Sequence, residues 1–409
     1  MAKSTSKLSR QYGRWVYPEP IHDLKKFFDS GARIFSDPSL FFYRLWPERE
    51  KFNPDILVAG CGTNLAAQIA YRNRDSKVVG ADLSATSIQH SIKLKQKYKL
   101  ENLTLVKGDF LEIDFEQDFD LIVATGVLHH LEDPVAGGAA LKKLLRDGGV
   151  LYAMLYGMSH RVGVYMLQRA FREIGLKQSK KDVDIARECI KFLPPSHSAR
   201  RYIASTSELG YDGAFVDTFL HVQDVAFWAD EIFEFIEDIG MTFQSWVEPS
   251  RYHPRTMMPS NHPLYKRALE LDPESQAVFI DRMYQHLGTH RFLARKQEEA
   301  RDDWTIDFND PGFWSWVPHR HPWSKIKASG GRDGSPLLER SGMRQTLSHD
   351  RAKLLGRIDG KMTMLEVLLR LGWEKGPQNA ENDQFRQAIR ETYEEGHIMI
   401  QKAPRPGRL

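Results

Sequence analysis

Short apolar runs alternate with segments of helical apolar spacing between residues 55 and 156. The apolar runs predict strands at 56–59, 77–81, 103–106, 119–124 and 150–155. The intervening patterns predict helices at 65–72, 84–99 and 134–145. Strands that alternate with helices of this length are typical of a parallel sheet covered by helices on both faces. The carboxyl ends of such strands share one edge of the sheet, where ligands bind.

Beyond residue 156 the alternation gives way to helical patterns and loops over 157–224. We interpret this segment as an insertion that covers the ligand edge of the sheet. A helix pattern at 226–239 and apolar runs at 241–247 and 289–294 then continue the first domain. The predicted fold class is therefore α/β, a doubly wound, mostly parallel sheet with a helical insertion.

Residues 301–409 lack the alternation of strand and helix patterns seen earlier in the chain. Residues 301–340 combine four tryptophans with many glycines, prolines and charges, which predicts a linker or a wrapping arm. Residues 341–409 contain three helix patterns followed by a short apolar run, which predicts a small separate domain. The expected organisation is an N-terminal arm or lid at 1–50, a main domain at 51–300, the linker at 301–340 and the small domain at 341–409.

Composition narrows the class of protein. Of 409 residues, 41% are hydrophobic and 27% charged, as in globular proteins, and the net charge is +3. Nothing in this balance requires a nucleic acid or a membrane partner. No run of 18 apolar residues occurs, and the basic N-terminus lacks the apolar core of a secretory signal. With only Cys61 and Cys189, no disulfide framework is expected, and a cytoplasmic protein is predicted.

The candidate cofactor site begins with a glycine turn. Gly60 and Gly62 follow the first strand and precede a helix, so the backbone there can approach a ligand closely. A dinucleotide fingerprint would require a third glycine at position 65, where Leu65 stands. Asp82 ends the second strand, where a carboxylate can accept both ribose hydroxyls. Asp109 follows the third strand, where an acid can accept a hydrogen bond from an adenine amino group.

The segments VAGCGTN, GADLS, KGDF, TGVLHHLEDP and DGGVLYAMLYG, which carry these residues, resemble the class I S-adenosylmethionine (SAM) methyltransferases over about residues 55–156. The resemblance implies SAM as the cofactor and a methyl-acceptor substrate as the partner. The implied cofactor-binding residues are Ala59, Gly60, Cys61, Gly62, Asn64, Asp82, Leu83, Asp109, Phe110 and Thr125. Asn64 stands where the family usually has glycine; because asparagine tolerates a left-handed backbone, the turn is expected to persist.

Three further segments, RQYGRWVYPEP, FLHVQDVAFWADEIFEFIEDIGM and LLGRIDGKMTMLEV, are similar to one subgroup of that family. It includes bacterial protein-lysine methyltransferases and tetratricopeptide-associated methyltransferases. The similarity implies a small C-terminal winged-helix-like domain and makes a protein acceptor one candidate. Arg14 and Trp15 could fold over the cofactor, since arginine suits the methionine carboxylate. The alternative is that both belong to a solvated arm.

The candidate catalytic residues are His129, Tyr156 and His221. His129 and His130 follow the fourth strand, and His129 is the one of this pair that is expected on the ligand side. Tyr156 ends the fifth strand, and His221 lies in the insertion. A base is needed only if the acceptor is protonated, as a lysine amine is, because the sulfonium of SAM is already an activated donor. Each residue also has an ordinary structural interpretation, as a packed histidine, a core aromatic or a loop hydrogen-bonding group. No cluster with metal-ligand spacing is present in the sequence, and no metal is expected.

Alternatives remain open at this point. The acceptor is a protein side chain such as lysine or a small molecule enclosed by the insertion. A non-catalytic SAM-binding or scaffold protein is a different class of function, and a homodimer is also left open. A nicotinamide oxidoreductase would require the third glycine that Leu65 replaces. The last helix pattern, FRQAIRETYEEG, has three acids and two bases, which argues against a surface that binds DNA.

Overall fold

The computed structural model describes residues 2–299, 301–331, 334–340, 343–373 and 380–402. The chain forms two compact units. The first unit comprises Met1–Ser36, Asn53–Val247 and Val278–Glu299. The second comprises Asp37–Phe52, Glu248–Ala277 and Ala300–Leu409.

The strands and helices are numbered along the chain. The strands are β1 Ile56–Ala59, β2 Val78–Asp82, β3 Leu103–Lys107, β4 Phe119–Thr125, β5 Leu145–Tyr156, β6 Met241–Trp246, β7 Thr289–Lys296, β8 Val317–Arg320, β9 Lys325–Lys327, β10 Leu337–Arg340, β11 Met343–Thr346 and β12 Ile398–Gln401. The helices are α1 Ala2–Arg14, α2 Leu24–Asp29, α3 Pro38–Leu45, α4 Leu65–Arg72, α5 Ala85–Tyr98, α6 Pro134–Lys143, α7 Met158–Glu173, α8 Lys180–Cys189, α9 Ala199–Ser205, α10 Asp212–Phe219, α11 Ala229–Asp238, α12 Pro254–Met257, α13 Tyr265–Glu270, α14 Pro273–Tyr284, α15 Arg301–Trp304, α16 His349–Arg357, α17 Met364–Arg370 and α18 Ala380–Glu394.

The first unit is built on a seven-stranded sheet in the order β3-β2-β1-β4-β5-β7-β6. Strands β1 to β5 are parallel, and β7 is antiparallel to both of its neighbours. All four residues of β1 are fully buried, because helices cover both faces of the sheet. Burial of each such apolar side chain stabilises the fold by about 1.5–3 kcal/mol. The predicted α/β class with a mostly parallel sheet is confirmed.

Strand β5 begins earlier than the sequence predicted. Residues 146–149, which precede the predicted strand, lie inside β5, since Leu145 pairs with Phe119 and Val150 pairs with Leu121 across an irregular register. The Arg146 guanidinium reaches Asp55 at 2.7 Å and Asp120 at 2.8 Å, which holds the start of the strand against β4. Gly148 takes the left-handed conformation at φ +72°, so the irregularity is accommodated without strain.

Helices α7 to α10 form the insertion and have a small core of their own. Its buried side chains include Leu167, Phe171, Phe215 and Phe219. Gly163 of α7 lies where the start of α9 crosses, since a Cβ there would be 2.1 Å from the Ala199 amide nitrogen. The insertion is therefore a packed element that can hold side chains at fixed positions over the sheet edge.

The second unit has a separate core around Phe313, Leu338, Leu355, Phe385 and Ile398. Residues 301–340, which the sequence predicted to be a linker or wrapping arm, contain α15 and strands β8 to β10. The aromatic residues there lie inside the unit, with Phe313 fully buried and Trp316 3% exposed. The three predicted C-terminal helices correspond to α16, α17 and α18. The winged-helix assignment stays a prediction.

None of the described helices has both the length and the apolar composition needed to cross a lipid bilayer.

Candidate active site

The glycine turn after β1 has the conformation that its sequence predicted. Gly60 and Gly62 both have left-handed backbones, at φ +63° and +56°. A Cβ on Gly60 would lie 2.3 Å from Cγ2 of Val127, in the loop after β4. A Cβ on Gly62 would lie 3.0 Å from Cδ of Pro18. Glycine is therefore required at both positions, and the turn is enclosed by the loop after β4 and by the N-terminal segment.

Asp82 is held in one orientation beside this turn. Its Oδ2 accepts a hydrogen bond from the Gly62 amide at 2.7 Å, and its Oδ1 accepts one from the Ser84 amide at 2.8 Å. Burial raises the pKa of Asp82, while the two amide donors counteract part of that effect. Because each carboxylate oxygen has a further lone pair, the side chain can still accept both hydroxyls of a ribose.

The other predicted cofactor residues lie at the same edge of the sheet. Asp109 follows β3 and accepts from the Leu111 amide at 3.0 Å, and the Gly108 amide donates to the Asp82 carbonyl at 3.0 Å. Ala59 pairs with Ala81, Leu83 directly follows Asp82, Phe110 is buried, and Thr125 ends β4. Cys61 is buried and burial raises the pKa of its thiol, so it is not a nucleophile.

Asn64, the departure from the family pattern, has a role that the sequence did not suggest. We name residues 16–22 the strap. Asn64 Oδ1 accepts from the Ile21 amide at 2.8 Å, and Asn64 Nδ2 donates to the Glu19 carbonyl at 2.9 Å. The Thr63 hydroxyl donates to the Pro18 carbonyl at 2.8 Å. Asn64 itself has φ −129°, so its backbone is not left-handed, contrary to our expectation. Its side chain instead ties the strap across the glycine turn.

Replacement of Asn64 by alanine removes two hydrogen bonds between the turn and the strap. We expect SAM to dissociate about tenfold faster from Asn64→Ala, since two net hydrogen bonds contribute about 1–3 kcal/mol to closure. Stopped-flow displacement of SAM by S-adenosylhomocysteine (SAH) measures the rate. Thr63→Val, which removes the neighbouring bond, should change it in the same direction by a smaller factor. An unchanged rate in both variants would show that the strap does not retain the cofactor.

Arg14 ends α1 and Trp15 follows it, and Trp15 contacts the insertion. The Trp15 indole donates to the Gln178 carbonyl at 3.2 Å and packs against the insertion core. The exposed Arg14 guanidinium lies 5.5 Å from the Trp15 ring. Their proposed contact with the cofactor stays a prediction. The residue of α1 that does reach the sheet edge is Tyr12, whose carbonyl accepts from the Ser84 hydroxyl at 3.4 Å.

A buried carboxylate lies beside this edge, surrounded by aromatic rings. The Tyr12 hydroxyl donates to Asp217 Oδ1 at 2.8 Å, and the Tyr156 hydroxyl donates to Asp217 Oδ2 at 2.7 Å. The rings of His130 and His221 stack at 4.1 Å beside it. We name these five residues the Asp217 cluster. Its members come from α1, β5, α10 and the loops after β4 and α10, so only the folded unit brings them together.

Backbone hydrogen bonds determine which ring nitrogen of each histidine carries a proton. The Gln223 amide donates to His221 Nδ1 at 3.0 Å, so the neutral ring carries its hydrogen on Nε2, 3.2 Å from the Tyr12 hydroxyl oxygen. His130 Nδ1 lies 3.2 Å from the Gln223 carbonyl and must donate to it. The lone pair of neutral His130 is therefore on Nε2.

These protonation states bear on metal binding. His130, Asp217 and His221 offer ligand atoms within 4.8 Å of one another, a spacing that could hold a metal ion. A metal needs a ring nitrogen with a free lone pair, and both nitrogens of His221 are engaged otherwise. The two remaining groups are too few for a protein metal site. The donor set does not fit a metal, and its absence remains our prediction.

The charges of the cluster are unusual. Burial would raise the pKa of Asp217, but attraction to His221 and His130 in their protonated forms and the hydrogen bonds from Tyr156 and Tyr12 outweigh it, and the net pKa is lowered. Burial lowers the pKa of His130 and of His221 to about 4. Both histidines are therefore neutral near pH 7. No lysine or arginine of the described residues pairs with Asp217. Asp217 is a buried anion without a permanent cationic partner.

His129 and Arg161 pack against the Tyr156 ring of the cluster. The His129 ring is fully buried 3.9 Å from the Tyr156 ring, and burial holds its pKa well below the usual value. Neither of its ring nitrogens makes a hydrogen bond of normal geometry. The buried Arg161 guanidinium lies 3.7 Å from the Tyr156 ring and pairs with Asp224 at 3.4 Å. Arg161 is therefore neutralised by a different carboxylate and does not compensate Asp217.

The structure thus brings Tyr156 and His221 together with residues that the sequence analysis missed. Those residues are Tyr12 and Asp217, and of the pair after β4 it is His130, not the preferred His129, that lies beside Asp217. One signal was available, because Asp217 and His221 are four residues apart, a spacing that places two side chains on one face of a helix. Tyr12 carried no distinguishing pattern, although it lies within the segment RQYGRWVYPEP.

Comparison with known proteins agrees with this geometry. A family model described as a methyltransferase domain matches residues 53–190. An uncharacterized protein of Synechococcus sp. is 28% identical over 265 residues, which are 62% of this chain and 62% of that protein. The sterol 24-C-methyltransferase of Debaryomyces hansenii is 35% identical over 102 residues, 24% of this chain and 26% of that enzyme. The chain thus spans less than two thirds of the length of these curated relatives.

A solved structure has the same fold over most of the chain. PKMT2 from Rickettsia typhi in complex with AdoHcy superimposes with a TM-score of 0.60 and 16% identity, covering 90% of this chain and 76% of that protein. At this identity the likeness concerns the fold alone. Together with the sheet order, the glycine turn and Asp82, the family match leads to one assignment. Residues 53–190 match a methyltransferase domain and have the features expected of the class I SAM-dependent fold.

Proposed function

We propose that this protein transfers the methyl group of SAM to an amine nitrogen, and that the amine is a lysine side chain of a protein. The observation that carries the acceptor class is Asp217, a buried anion between two tyrosine hydroxyls with no cationic partner of its own. A buried charge without a partner is costly. An acceptor that arrives as an ammonium ion would supply the missing positive charge.

The residues at the sheet edge fit SAM. Gly60 and Gly62 leave space for a ligand close to the backbone, and Asp82 presents two oriented oxygens to a ribose. Asp109 is the candidate for the adenine amino group. The glycine turn would hold the methionine part, with the strap above it. When bound, SAM supplies an electrophilic methyl group on a positively charged sulfur.

The protein then has to hold the acceptor and exclude water. The Tyr12 and Tyr156 hydroxyls stay protonated, because burial and Asp217 raise their pKa values well above the usual range. They therefore act as donors that keep Asp217 ionised and fixed in orientation. An ammonium group bound to Asp217 would lie among the rings of the cluster, where cation–π attraction adds to the ion pair. Positioning of this kind is the main requirement for methyl transfer from an activated donor.

Two acidic residues favour a protein side chain over a free molecule as the acceptor. The Tyr17 hydroxyl of the strap donates to Glu208 of the insertion at 3.1 Å. The pKa of Tyr17 is raised by burial and by the negative charge of Asp217. Glu208 is exposed, whereas Asp217 is buried, so one carboxylate lies at the surface and the other in the interior. A lysine chain could pass between them with its ammonium group ahead. A small amine is the second candidate, because the full burial of Asp217 favours a ligand that the cluster encloses.

The location of the reaction is also a proposal. Cys61 and Cys189 are both free thiols in the structure, which supports a reducing, cytoplasmic compartment.

The test is incubation of the protein with SAM labelled in its methyl group and a fractionated bacterial lysate. We expect acid-stable label in the protein fraction, recovered after hydrolysis as N-methyllysine. Label only in the small-molecule fraction would support the second candidate. Label on a carboxyl or hydroxyl oxygen would contradict the amine assignment, and binding of SAM without any transfer would indicate a non-catalytic role.

A further inference from the structure

We infer that His130, not the preceding His129, is the catalytic residue that removes a proton from the acceptor, at its Nε2 atom. This inference rests on the proposed amine acceptor. An ammonium ion has no lone pair, so it cannot attack the methyl group until one proton has left. Asp217 can bind such an ion, and a second group close by must take the proton.

The hydrogen bonds of the Asp217 cluster leave one uncharged proton acceptor. His221 has no free lone pair, since Nδ1 accepts from the Gln223 amide and Nε2 donates towards Tyr12. The Tyr12 and Tyr156 hydroxyls are committed as donors to Asp217. His130 donates from Nδ1 to the Gln223 carbonyl, so its Nε2 lone pair is available. The same carbonyl bond fixes the tautomer and the orientation of the ring.

Position supports the assignment. A ring nitrogen of His130, a carboxylate oxygen of Asp217 and a ring nitrogen of His221 lie within 4.8 Å of one another. A nitrogen atom bound to Asp217 would therefore be a neighbour of the His130 ring. His129 packs instead against Tyr156 and His130, with its ring 3.9 Å from the Tyr156 ring and 4.2 Å from the His130 ring. It is separated from the carboxylate by the residues that contact Asp217 directly.

The proton transfer balances without any further reactant. The ammonium nitrogen gives one proton to His130 Nε2 and keeps the electron pair of that N–H bond, so the amine becomes neutral and the ring becomes imidazolium. The nitrogen then bonds the methyl carbon with this pair as the carbon–sulfur bond breaks, and the positive charge passes from sulfur to nitrogen. His130 later releases its proton to water.

The surroundings of His130 suit a proton acceptor that is neutral at rest. Burial and His221 lower the pKa of His130, Asp217 and Asp224 favour the protonated form, and the resulting pKa is about 4. The two carboxylates would stabilise the imidazolium once the proton arrives. The titratable and charged groups that surround the ring from α1, the loop after β4, β5, α7, α10 and the loop after α10 are Tyr12, His129, Tyr156, Arg161, Asp217, His221 and Asp224.

The decisive measurement is the pH dependence of methyl transfer to the lysine-containing protein fraction, between about pH 6 and about pH 9. We expect little change for the native protein, because His130 is neutral throughout. We expect His130→Gln to be about 100-fold slower near pH 7 and to recover about tenfold per pH unit, since only acceptor that is already neutral can react. The amide of glutamine can still donate to the Gln223 carbonyl, and His130→Asn provides a second variant if folding is impaired.

His129→Gln is the matched control, as a change of the same kind at the adjacent buried position. We expect this variant to lower the rate of methyl transfer by the same factor at every pH. If His129→Gln gives the rising profile and His130→Gln does not, the assignment is overturned in favour of His129.

A second readout does not depend on activity. In protein labelled with ¹⁵N-histidine, the signals lost in His130→Gln should be those of a neutral ring protonated on Nδ1. A ring protonated on Nε2 would overturn the inference. If the native protein forms no N-methyllysine, the proposed function fails, whereas flat pH profiles in an active His130→Gln protein would refute only the role of His130.

Discussion

Asp217→Asn is expected to reduce kcat/KM for the amine acceptor by about 100- to 1000-fold, because loss of one member of a buried charge pair costs about 3–5 kcal/mol. In the native protein both carboxylate oxygens accept a tyrosine hydroxyl and face no arginine or lysine of the described residues. An asparagine of the same shape keeps one acceptor atom but not the charge. The loss should therefore appear mainly as weaker acceptor binding.

The measurement is initial-rate kinetics at varied acceptor concentration, with the SAM affinity determined separately by calorimetry. Asp212→Asn is the matched control, since Asp212 begins the same helix but pairs with Lys180 and Arg187 outside the cluster. The control should stay within about twofold of the native kcat/KM. Loss of SAM affinity in Asp217→Asn with an unchanged acceptor KM would contradict the assignment and place Asp217 in the cofactor site.

Asp82→Ala is expected to weaken SAM binding by at least about 100-fold. The variant removes two charge-assisted hydrogen bonds to the ribose, each of about 1.5–3 kcal/mol. It also frees the Gly62 and Ser84 amides that now orient the turn. Calorimetry with SAM gives the affinity directly. Asp109→Ala, at the adjacent strand end, should weaken binding by a smaller factor of about ten, since it removes a single contact.

Loss of binding in Asp82→Ala should not reflect unfolding. Burial raises the pKa of Asp82, so its ionised form costs free energy in the folded protein at neutral pH. Removal of that charge offsets the loss of two backbone hydrogen bonds, and the melting temperature should change little. Full affinity in a folded Asp82→Ala protein would contradict the cofactor site. Exposed Glu112→Ala, close to Asp109 in the chain, serves as a neutral control.

The proposed cofactor half of the site is recognisable in the sequence because its signals are local. Gly60, Gly62 and Asp82 follow strands whose apolar runs are visible in the sequence, and parallel strands bring their carboxyl ends together. The conformation of each glycine depends on its own backbone and its immediate neighbours. The irregular start of β5 was missed because Arg146 is held by two acids from distant parts of the chain, Asp55 and Asp120.

Asn64 illustrates a different limit. Its departure from the usual glycine suggested only tolerance of a left-handed backbone, whereas its side chain binds Glu19 and Ile21 of the strap. The partners are more than forty positions away, and hydrogen bonds to backbone atoms leave no pattern in the partner sequence. The function of such a residue becomes visible only when both segments are folded.

The sequence by itself determined the class of fold, the cofactor edge and the acid beside the glycine turn, because these follow from the periodicity of apolar residues and from short motifs. The tertiary structure decided which residues meet at the proposed acceptor site. His129 and His130 are neighbours in the chain, yet only His130 stacks on His221 and lies near Asp217. That difference depends on the direction of each ring and on the hydrogen bonds that the Gln223 backbone makes with His130 and His221. Gln223 is 93 positions away from His130 in the chain, so only packing brings them together.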